Sequence, residues 1–300
     1  MRKIRFEADA TPVLEEAGVP QAGPGELLVR VEAVGVGLGL VRSMRSGTPA
    51  TGAEVVGRVT GLGPGTSGFQ VGDRVGGVVM RDAFADTVVA VPQLMSAVPE
   101  DVDTADALCL VRGGLIAMSA LRAGAFAAGE SVLVTGAASG VGHLAVQLAK
   151  AMGAARVVAA AGSPDKAAFL RDCGATEVVA YDQDWGEPVD VVLDGVGGDL
   201  VQRGVDALRP RGRLVAFSAG GGVVDAGSLL GGLKTVTGFS IGLIGREQPE
   251  LIDGMRAELW RLLAPGDLRP AHTAFPFEDV DRAVALVAER RNLGRVLLEP

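Results

Sequence analysis

The most constraining feature of this chain is a strand-turn-helix pattern in mid-sequence, at residues 131–142 (SVLVTGAASGVG). Residues 132–135 predict a short buried strand, and a turn rich in glycine and small residues follows at 136–142. The next residues, HLAVQLAKAMGA, are apolar at helical spacing and predict a helix that packs on a sheet. Glycines at such a turn let the backbone approach a pyrophosphate, which binds the N–H groups at the helix N-terminus. The stretch therefore predicts a dinucleotide-binding unit.

The composition is typical of a soluble α/β protein with two domains. The chain has 300 residues, of which 48% are hydrophobic, and its net charge of −8 argues against a nucleic-acid partner. We find no signal-peptide pattern at the N-terminus, and the apolar window 105–128 carries charges that make it unsuitable as a membrane span. Two cysteines, Cys109 and Cys173, are too few for a disulfide framework and indicate a reducing compartment. We expect a cytoplasmic protein that binds neither nucleic acid nor membrane.

The chain changes from a β-rich to an alternating pattern near residue 103. Before this point, alternating side chains predict strands at 26–36, 53–63 and 71–79, separated by glycine-proline turns typical of a small barrel. A helix follows, with Asp101, Asp103 or Thr104 as its candidate cap.

From residue 131 onwards, strands and helices alternate, which predicts a doubly wound parallel sheet of about six strands. After the first strand, the predicted strands are 157–162, 177–181, 189–198, 213–222 and 235–242, with a helix at 164–173. The C-terminal part contains predicted helices at 248–263 and 277–290 and a last strand, RVLLE.

Two dehydrogenase families share this type of turn, and the residues exclude one of them. TGAASGVG also matches the opening of the short-chain dehydrogenases, which place it near the N-terminus and use a Tyr-x-x-x-Lys pair for proton transfer. The single tyrosine here is Tyr181, and position 185 is Trp. The chain therefore does not fit the short-chain family.

The order of motifs along the chain resembles the medium-chain dehydrogenase/reductase superfamily, in its zinc-free quinone oxidoreductase branch, which is related to polyketide enoyl reductase domains. The motifs are VGDRV, SVLVTGAASGVG, VVLDGVGG, LRPRGRLVAFS and NLGRVLL. The resemblance implies a GroES-like β-barrel catalytic domain at 1–110 and 246–300, with a Rossmann domain at 111–245. It also implies hydride transfer in the cleft and a homodimer built by pairing the strand near 236–241.

The residues argue against a catalytic zinc, which requires about three protein ligands. The zinc-dependent relatives carry a Cys on the loop after the second barrel strand and a Gly-His-Glu later. Here the loop reads Gly37-Leu38-Gly39-Leu40 and the later motif reads Gly52-Ala53-Glu54, while His143 and His272 are isolated. We predict no metal, and hydride transfer to a polarised acceptor such as a quinone or an enone.

The end of the second Rossmann strand predicts NADPH as the cofactor. NAD-specific sites place an acidic residue there, whereas this strand ends Ala159-Ala160-Ala161-Gly162. Ser163 and Lys166 follow, a hydroxyl and a cation that suit a 2′-phosphate. The alternative is that Ser163 caps a helix and Lys166 is a solvated surface residue. Tyr181 matches a family tyrosine beside this phosphate, but as a lone aromatic after a strand it could equally be a packing residue.

The remaining cofactor-binding residues are implied by the resemblance. The turn contributes backbone groups of four residues and later strand ends contribute the others. The predicted set is Ser139, Gly140, Val141, Gly142, Gly195, Ser218, Phe239, Ser240 and Arg295. Arg295 matches the family's Lys or Arg near the cofactor phosphates, and a surface salt bridge is an equally good interpretation of this residue.

The acceptor side departs from the family. The Asn-x-x-Asp loop that orients nicotinamide and substrate is replaced by apolar residues, and the threonine of Gly-Leu-Thr-Ala is Ile116. The predicted substrate pocket is therefore apolar and consists of Leu38, Leu40, Val41, Met44 and Ile116, with no assigned proton donor. Three functions remain open: quinone reduction, enoyl reduction in polyketide or natural-product tailoring, and cofactor binding with little or no redox activity.

Overall fold

A computed structural model describes residues 1–7, 11–45, 51–217 and 220–300 of the chain. These residues form two compact units, Met1–Arg112 with Ala271–Pro300, and Gly113–Pro270. The division expected from the sequence differs at residues 246–270, which belong to the second unit. A helix at Pro249–Leu263 is attached there through Met255, whose sulfur accepts a hydrogen bond from the Ser119 hydroxyl at 3.5 Å.

The strands and helices of the described residues are as follows. The strands are β1 (Arg2–Phe6), β2 (Pro12–Glu16), β3 (Leu27–Val36), β4 (Ala53–Leu62), β5 (Arg74–Val79), β6 (Thr87–Ala90), β7 (Met95–Ala97), β8 (Ser131–Thr135), β9 (Arg156–Ala161), β10 (Glu177–Ala180), β11 (Val189–Asp194), β12 (Leu208–Ala216), β13 (Thr235–Gly238), β14 (His272–Pro276) and β15 (Arg295–Glu299). The α-helices are α1 (Leu38–Arg45), α2 (Thr104–Leu108), α3 (Leu115–Ala123), α4 (Gly142–Ala151), α5 (Ala167–Asp172), α6 (Asp199–Asp206), α7 (Gly227–Leu230), α8 (Ile241–Glu247), α9 (Pro249–Leu263) and α10 (Val280–Ala288).

The first unit is built on a seven-stranded sheet in the order β14-β15-β3-β4-β5-β7, with β6 also paired to β3. β3 pairs antiparallel with β4, β6 and β15, and it alternates buried and more exposed side chains over its first half. The unit's core is rich in valine, as expected for strands that pack on a common interior. This confirms the predicted β-rich domain.

Helix α1 follows directly on the end of β3, where the sequence suggested a loop. The segment forms a helix because Leu40 and Val41 are drawn into the core of the unit, where they are 5% and 3% exposed. The Ser43 hydroxyl donates to the Leu40 carbonyl at 2.7 Å on the polar side. Tertiary burial therefore overrides the weak helix propensity of a stretch that contains Gly39.

The second unit contains a six-stranded parallel sheet in the order β10-β9-β8-β11-β12-β13. The first strand of this sheet in sequence is β8, and β9 and β10 lie on one side of it. The chain then crosses over, so that β11, β12 and β13 lie on the other side. The strand order reverses between β8 and β11, and ligands of doubly wound sheets bind beyond the carboxyl ends of the strands at such a point. The predicted doubly wound sheet is confirmed.

Several element boundaries differ from the sequence-based expectation: β11 ends at Asp194 rather than residue 198, and β12 is Leu208–Ala216 rather than 213–222. β13 ends at Gly238, and the predicted continuation to residue 242 is instead the start of α8, capped by Ser240. The predicted helix at 164–173 begins as a short 3-10 turn at Pro164–Lys166 before α5. The Asp103 cap is confirmed, since its carboxylate accepts from the backbone N–H of Ala105 at 2.9 Å.

Helices α2 and α3 are joined by a π-helical turn at Cys109–Gly114. Within the described residues, the resulting segment Thr104–Ala123 is long and apolar enough to cross a membrane by length and composition. However, 72% of its most apolar window is buried inside the protein, as in the core helix of a globular protein.

Candidate active site

The turn between β8 and α4 is shaped by two glycines. Gly136 has φ of +62°, a conformation that favours glycine. Gly142 opens α4, and a Cβ there would lie 2.2 Å from the Gly136 carbonyl oxygen. The turn therefore closes tightly on itself and leaves the start of α4 without bulky side chains. This is the shape required for a pyrophosphate to approach the backbone.

Ser139, Gly140 and Val141 form the tip of the same turn. The Ser139 hydroxyl accepts a hydrogen bond from the Gly142 N–H at 3.0 Å, and the Ser139 carbonyl oxygen lies 2.8 Å from Nδ1 of the buried His143. Ser139 is exposed, whereas Gly140 and Val141 are half-buried. The four predicted residues, 139–142, are thus brought together at the switch point.

A buried pair of side chains, Thr135 and Asp194, connects the end of β8, where this turn begins, to the end of β11. The sequence analysis did not predict this pair. The Thr135 hydroxyl donates to the Asp194 carboxylate at 2.6 Å, and both residues are fully buried. Asp194 also accepts from the backbone N–H groups of Val196 at 3.3 Å and Gly197 at 2.9 Å. Asp194 therefore fixes the conformation of the loop after β11. The available signal was a polar residue at the carboxyl end of each of two strands, directly after three apolar residues.

Gly195 lies beside this pair, where a side chain would not fit. Its N–H donates to the Thr135 hydroxyl at 3.0 Å, and a Cβ would come within 2.8 Å of the Phe217 ring. Gly197 has φ of +85°, and its Cβ would meet the backbone of Gly220 at 2.7 Å. The loop therefore keeps its backbone open at the carboxyl end of β11.

Ser163 and Lys166 follow the end of β9, as predicted. The Ser163 hydroxyl accepts from the Asp165 N–H at 3.3 Å, which makes it the cap of the short 3-10 turn. Lys166 is half-buried, and burial lowers the pKa of its ammonium group. The capping role that the sequence offered for Ser163 is thus observed, and a contact of Ser163 and Lys166 with a 2′-phosphate stays a prediction.

Tyr181 reaches across the strand ends to the glycine turn. Its hydroxyl accepts a hydrogen bond from the Gly136 N–H at 3.0 Å, and its ring lies 3.5 Å from where a Cβ of Gly162 would stand. The Arg203 guanidinium donates to the Tyr181 carbonyl oxygen and lies over the Trp185 ring at 4.4 Å. Tyr181 thus packs and also positions the backbone of the predicted cofactor turn.

The last strand ends carry an aromatic pair. The Phe217 ring, after β12, lies 6.5 Å from the Phe239 ring, after β13, with 28° between their planes. The Ser240 hydroxyl accepts from the Leu243 N–H at 3.2 Å and caps α8. Ser218 was also predicted at the cofactor and lies outside the described residues.

Arg295 belongs to the first unit, where it forms an ion pair with Glu54. Its side chain is only 15% exposed and that of Glu54 is 6% exposed, so this is not the surface salt bridge considered from the sequence. Arg112 approaches the other oxygen of the same carboxylate at 3.5 Å. The position of Arg295 near the cofactor phosphates stays a prediction.

The predicted acceptor residues divide by burial. Leu40 and Val41 point into the core of the first unit, which argues against direct contact with a substrate. Leu38 and Met44 on the same helix are half-buried, and so is Ile116 on α3 of the second unit. Leu38 and Met44 in the first unit, and Ile116 in the second, therefore stay predictions as residues that contact a substrate.

The donor chemistry of the described residues does not provide an evident metal site. No group of three or more His, Cys, Asp or Glu side chains within the described part of the chain is placed to hold a metal ion. Burial raises the pKa of the Cys109 thiol to about 12 and that of Cys173 to about 11, so both stay protonated at neutral pH. Both cysteines are buried.

Comparison with known proteins identifies the family. Residues 23–97 match the family of alcohol dehydrogenase GroES-like domains, and residues 140–256 match the family described as zinc-binding dehydrogenase. A quinone oxidoreductase of Pseudomonas aeruginosa is 32% identical over 100% of this chain and 99% of its own length. The chain belongs to the medium-chain dehydrogenase/reductase superfamily. Within it, the chain is an oxidoreductase of the quinone oxidoreductase-like branch.

Two further relatives show how the superfamily varies around this chain. A mycobacterial protein solved in complex with NADPH superposes with a TM-score of 0.88 at 30% identity, and all of both chains is covered. A mycocerosic acid synthase-like polyketide synthase of Mycolicibacterium smegmatis is 29% identical over 95% of this chain, which corresponds to 14% of the synthase. The same superfamily fold therefore occurs as a whole protein and as one segment of a much longer chain.

Proposed function

We propose that this protein is a zinc-independent, NADPH-dependent reductase that transfers a hydride to a quinone or another conjugated carbonyl acceptor. The end of β9 is the observation that carries the proposal. This strand ends in alanines, with no carboxylate at its own carboxyl end to bind the ribose hydroxyls of NADH or to repel a 2′-phosphate, and Gly162, Ser163 and Lys166 follow it.

The state of Lys166 supports the phosphate assignment. A half-buried ammonium group has lost part of its hydration, and this is why its pKa is lowered. A phosphate beside it would replace the lost water with a charge-assisted hydrogen bond. The Ser163 hydroxyl lies at the start of the same turn and offers a second contact. NADPH should therefore bind more tightly than NADH.

The glycine turn fits the rest of a dinucleotide. Since the start of α4 carries Gly142, and a Cβ there would meet the Gly136 oxygen, the backbone of residues 139–142 is open to a pyrophosphate. The Tyr181 hydroxyl accepts from the Gly136 N–H at the start of the turn, and the Thr135–Asp194 pair joins the ends of β8 and β11. Gly195, Phe239 and Ser240 complete the proposed site from the ends of the later strands, and Ser218 is assigned to it from the sequence alone. When bound, NADPH supplies the hydride.

Zinc independence is supported by the ion pairs of Glu54, whose carboxylate oxygens are already bound by arginine side chains. In this chain the Glu54 carboxylate is paired with Arg295 and Arg112, and its nearest predecessors in sequence are Gly52 and Ala53 rather than a histidine. A guanidinium pair neutralises the carboxylate and competes with any metal for its oxygens. We therefore expect an acceptor that is polarised by its own conjugation, since no Lewis acid is available to activate an alcohol.

Enoyl reduction is the second candidate. The polyketide synthase relative, whose matching segment covers 95% of this chain, favours it. The half-buried apolar residues Leu38, Met44 and Ile116 suit either acceptor, because both quinones and enoyl groups are flat and largely apolar. A cofactor-binding role with little redox activity is the third candidate.

One assay separates these candidates. NADPH consumption is measured with a panel of quinones, enones and enoyl thioesters, and NADPH and NADH binding are measured in parallel. Oxidation by quinones in preference to enoyl thioesters supports the first proposal, and the reverse preference supports the second. Tight NADPH binding without oxidation by any acceptor would exclude both reductase functions, and tighter binding of NADH would contradict the roles of Ser163 and Lys166.

We also propose a cytoplasmic homodimer. β13 is an edge strand of the second unit's sheet, and its side chains are exposed or half-buried. Such an edge has backbone groups available for pairing with a second copy. Light scattering of the purified protein should give twice the chain mass of 30.5 kDa, and a monomer at micromolar concentration would contradict the proposal.

A further inference from the structure

A buried histidine lies against the glycine turn of the second unit, and the proposed function does not use it. His143 is the second residue of α4, and its side chain is fully buried. Its Nδ1 atom lies 2.8 Å from the carbonyl oxygen of Ser139. A carbonyl oxygen only accepts hydrogen bonds, so Nδ1 carries the proton. The imidazole ring therefore donates to the backbone of the turn.

The Ser139 carbonyl accepts two hydrogen bonds from the same residue. Besides the ring, the backbone N–H of His143 donates to this oxygen at 3.2 Å, as in the first turn of a helix. Any residue other than proline at position 143 could form the backbone bond, whereas the shorter bond requires a donor on the side chain. The orientation of this carbonyl therefore depends on the histidine.

The His143 ring also packs against α5. Its centroid lies 6.2 Å from that of the Phe169 ring, with 38° between the two planes. Helix α5 follows the 3-10 turn of Ser163 and Lys166, which is the proposed 2′-phosphate site. Packing against α5 restricts rotation of the ring, so its Nδ1–H stays directed at the Ser139 carbonyl.

Fixing the Ser139 carbonyl also fixes the N–H group of Gly140. The peptide between these two residues is trans, so its C=O and N–H groups point in opposite directions. Since the carbonyl points to His143, the Gly140 N–H points away from it. Glycine adopts more backbone conformations than any other residue, so Gly140 itself does little to hold this peptide in one orientation. The hydrogen bond from the ring supplies that restraint.

Most other N–H groups of the turn already have acceptors. Those of Gly136, Ser139 and Gly142 donate to a hydroxyl, a carbonyl and a second hydroxyl at 3.0, 2.9 and 3.0 Å. For Gly140 and Val141, no hydrogen bond of the N–H group is found within the described residues. These two groups are therefore available to an anionic ligand at the start of α4.

We propose that His143 is a positioning residue for the pyrophosphate of the cofactor. By donating from Nδ1 to the Ser139 carbonyl, it keeps the Gly140 N–H directed at the phosphate oxygens. The inference rests on the proposed function, because it takes a dinucleotide as the ligand. The buried ring makes no contact with the phosphates and acts only through the Ser139–Gly140 peptide. A peptide that is already oriented binds the anion without the cost of reordering the turn.

Two variants at position 143 separate the hydrogen bond from the packing of the ring. His143→Leu keeps a similar side-chain volume and removes the donor. His143→Asn keeps an N–H donor on Cγ, where Nδ1 stands in histidine, and removes the rest of the ring. His272→Leu, at the exposed second histidine of the chain, is the control.

Calorimetric titration with two ligands measures the effect. NADP⁺ contains the pyrophosphate, whereas adenosine 2′-monophosphate carries the 2′-phosphate without it. His143→Leu should bind NADP⁺ about tenfold more weakly and adenosine 2′-monophosphate as the control does. His143→Asn should bind both ligands nearly as well as the control, although the cavity that it leaves beside Phe169 should lower its thermal midpoint. Affinity and stability should thus decrease in different variants, which a merely structural role would not produce.

Several results would overturn the inference. Unchanged NADP⁺ affinity in His143→Leu, equal weakening in the two variants at position 143, or equal weakening of both ligands would each refute the role of His143 and leave the proposed cofactor in place. An unmodified protein that binds neither ligand would refute the proposed cofactor together with the inference.

The nitrogen-15 spectrum of the histidine rings gives a second readout that needs no cofactor. The chain has two histidines, so the His272→Leu protein contains the signals of His143 alone. In the unliganded protein, Nδ1 of His143 should carry a proton, as its bond to the Ser139 carbonyl requires. An Nδ1 atom without a proton would overturn the inference whatever the ligand affinities are.

Discussion

Glu54 in the first unit and Asp194 in the second are both buried carboxylates, 4% and 0% exposed, yet their partners differ in kind. Asp194 is bound by the Thr135 hydroxyl and by the backbone N–H groups of Val196 and Gly197. Glu54 is bound by guanidinium groups of Arg112 and Arg295, which lie far away in sequence. The neutral donors around Asp194 fix the conformation of the loop after β11, whereas the charged donors around Glu54 are themselves held in position by the carboxylate.

Glu54→Gln should have the largest effect on stability. The substitution leaves the buried Arg295 guanidinium without its counter-charge, and breaking such a pair typically costs about 3–5 kcal/mol. Urea unfolding measures the change. Glu100→Gln is the matched control, because Glu100 pairs with Arg58 on the surface and is 67% exposed. Equal effects for the two variants would show that the Glu54 pair is as well solvated as the surface pair.

Asp194→Asn should destabilise the protein by about 1–3 kcal/mol, which is less than the effect at Glu54. The amide places an NH₂ group where the carboxylate accepted from two backbone N–H groups and the Thr135 hydroxyl, so one donor faces another. The free energy of unfolding and the affinity for NADPH should both decrease, because the conformation of the loop at Gly195 depends on Asp194. Asp182→Asn, at an exposed aspartate, is the control. A stable Asp194→Asn protein with normal cofactor affinity would remove Asp194 from the site.

Lys166→Gln should weaken NADPH binding by about 10–100-fold and leave NADH binding unchanged, since the lost contact is a charged hydrogen bond to the 2′-phosphate. Lys150→Gln, at an exposed lysine on α4, is the control. The same contact predicts a pH dependence. The phosphate requires the ammonium form, so the preference for NADPH over NADH should fall as the pH rises through the Lys166 pKa. Because burial lowers that pKa, the loss begins at a lower pH than for an exposed lysine. A preference that is constant up to the ordinary lysine range would contradict the contact.

Tyr181→Phe should have the smallest effect, about 1 kcal/mol in the free energy of unfolding, because one neutral hydrogen bond to Gly136 is lost and the ring remains. A few-fold weaker binding of both NADPH and NADH is expected, since the Gly136 turn serves the pyrophosphate that they share. Calorimetric titration with each cofactor measures this. An effect confined to NADPH would place Tyr181 at the 2′-phosphate, as the family resemblance implies.

The sequence predicted the second unit better than the first because its site is local. A strand, a glycine turn and a helix follow one another within residues 131–151, so the periodicity is sufficient to find them. The pairing of Thr135 with Asp194 was not predicted, because it depends on β8 and β11 being neighbours in the sheet. That can be inferred only once the order of all the strands is known. Helix α1 was not predicted for a related reason. It depends on the burial of Leu40 and Val41 in a core formed by distant strands. The Glu54–Arg295 pair joins two strands on either side of the second unit in sequence, and no local pattern could indicate it.

The position of β15 also affects how the protein is made. This strand lies between β14 and β3, so the sheet of the first unit lacks an interior strand until residues 295–299 have been synthesised. The second unit is one continuous stretch of sequence and can fold as soon as the ribosome has released it. During synthesis, the early strands of the first unit must wait with an open edge at β3, exposed to pairing with other chains. Arg295 arrives with β15, so the charge of Glu54 is neutralised in the same step that closes the sheet.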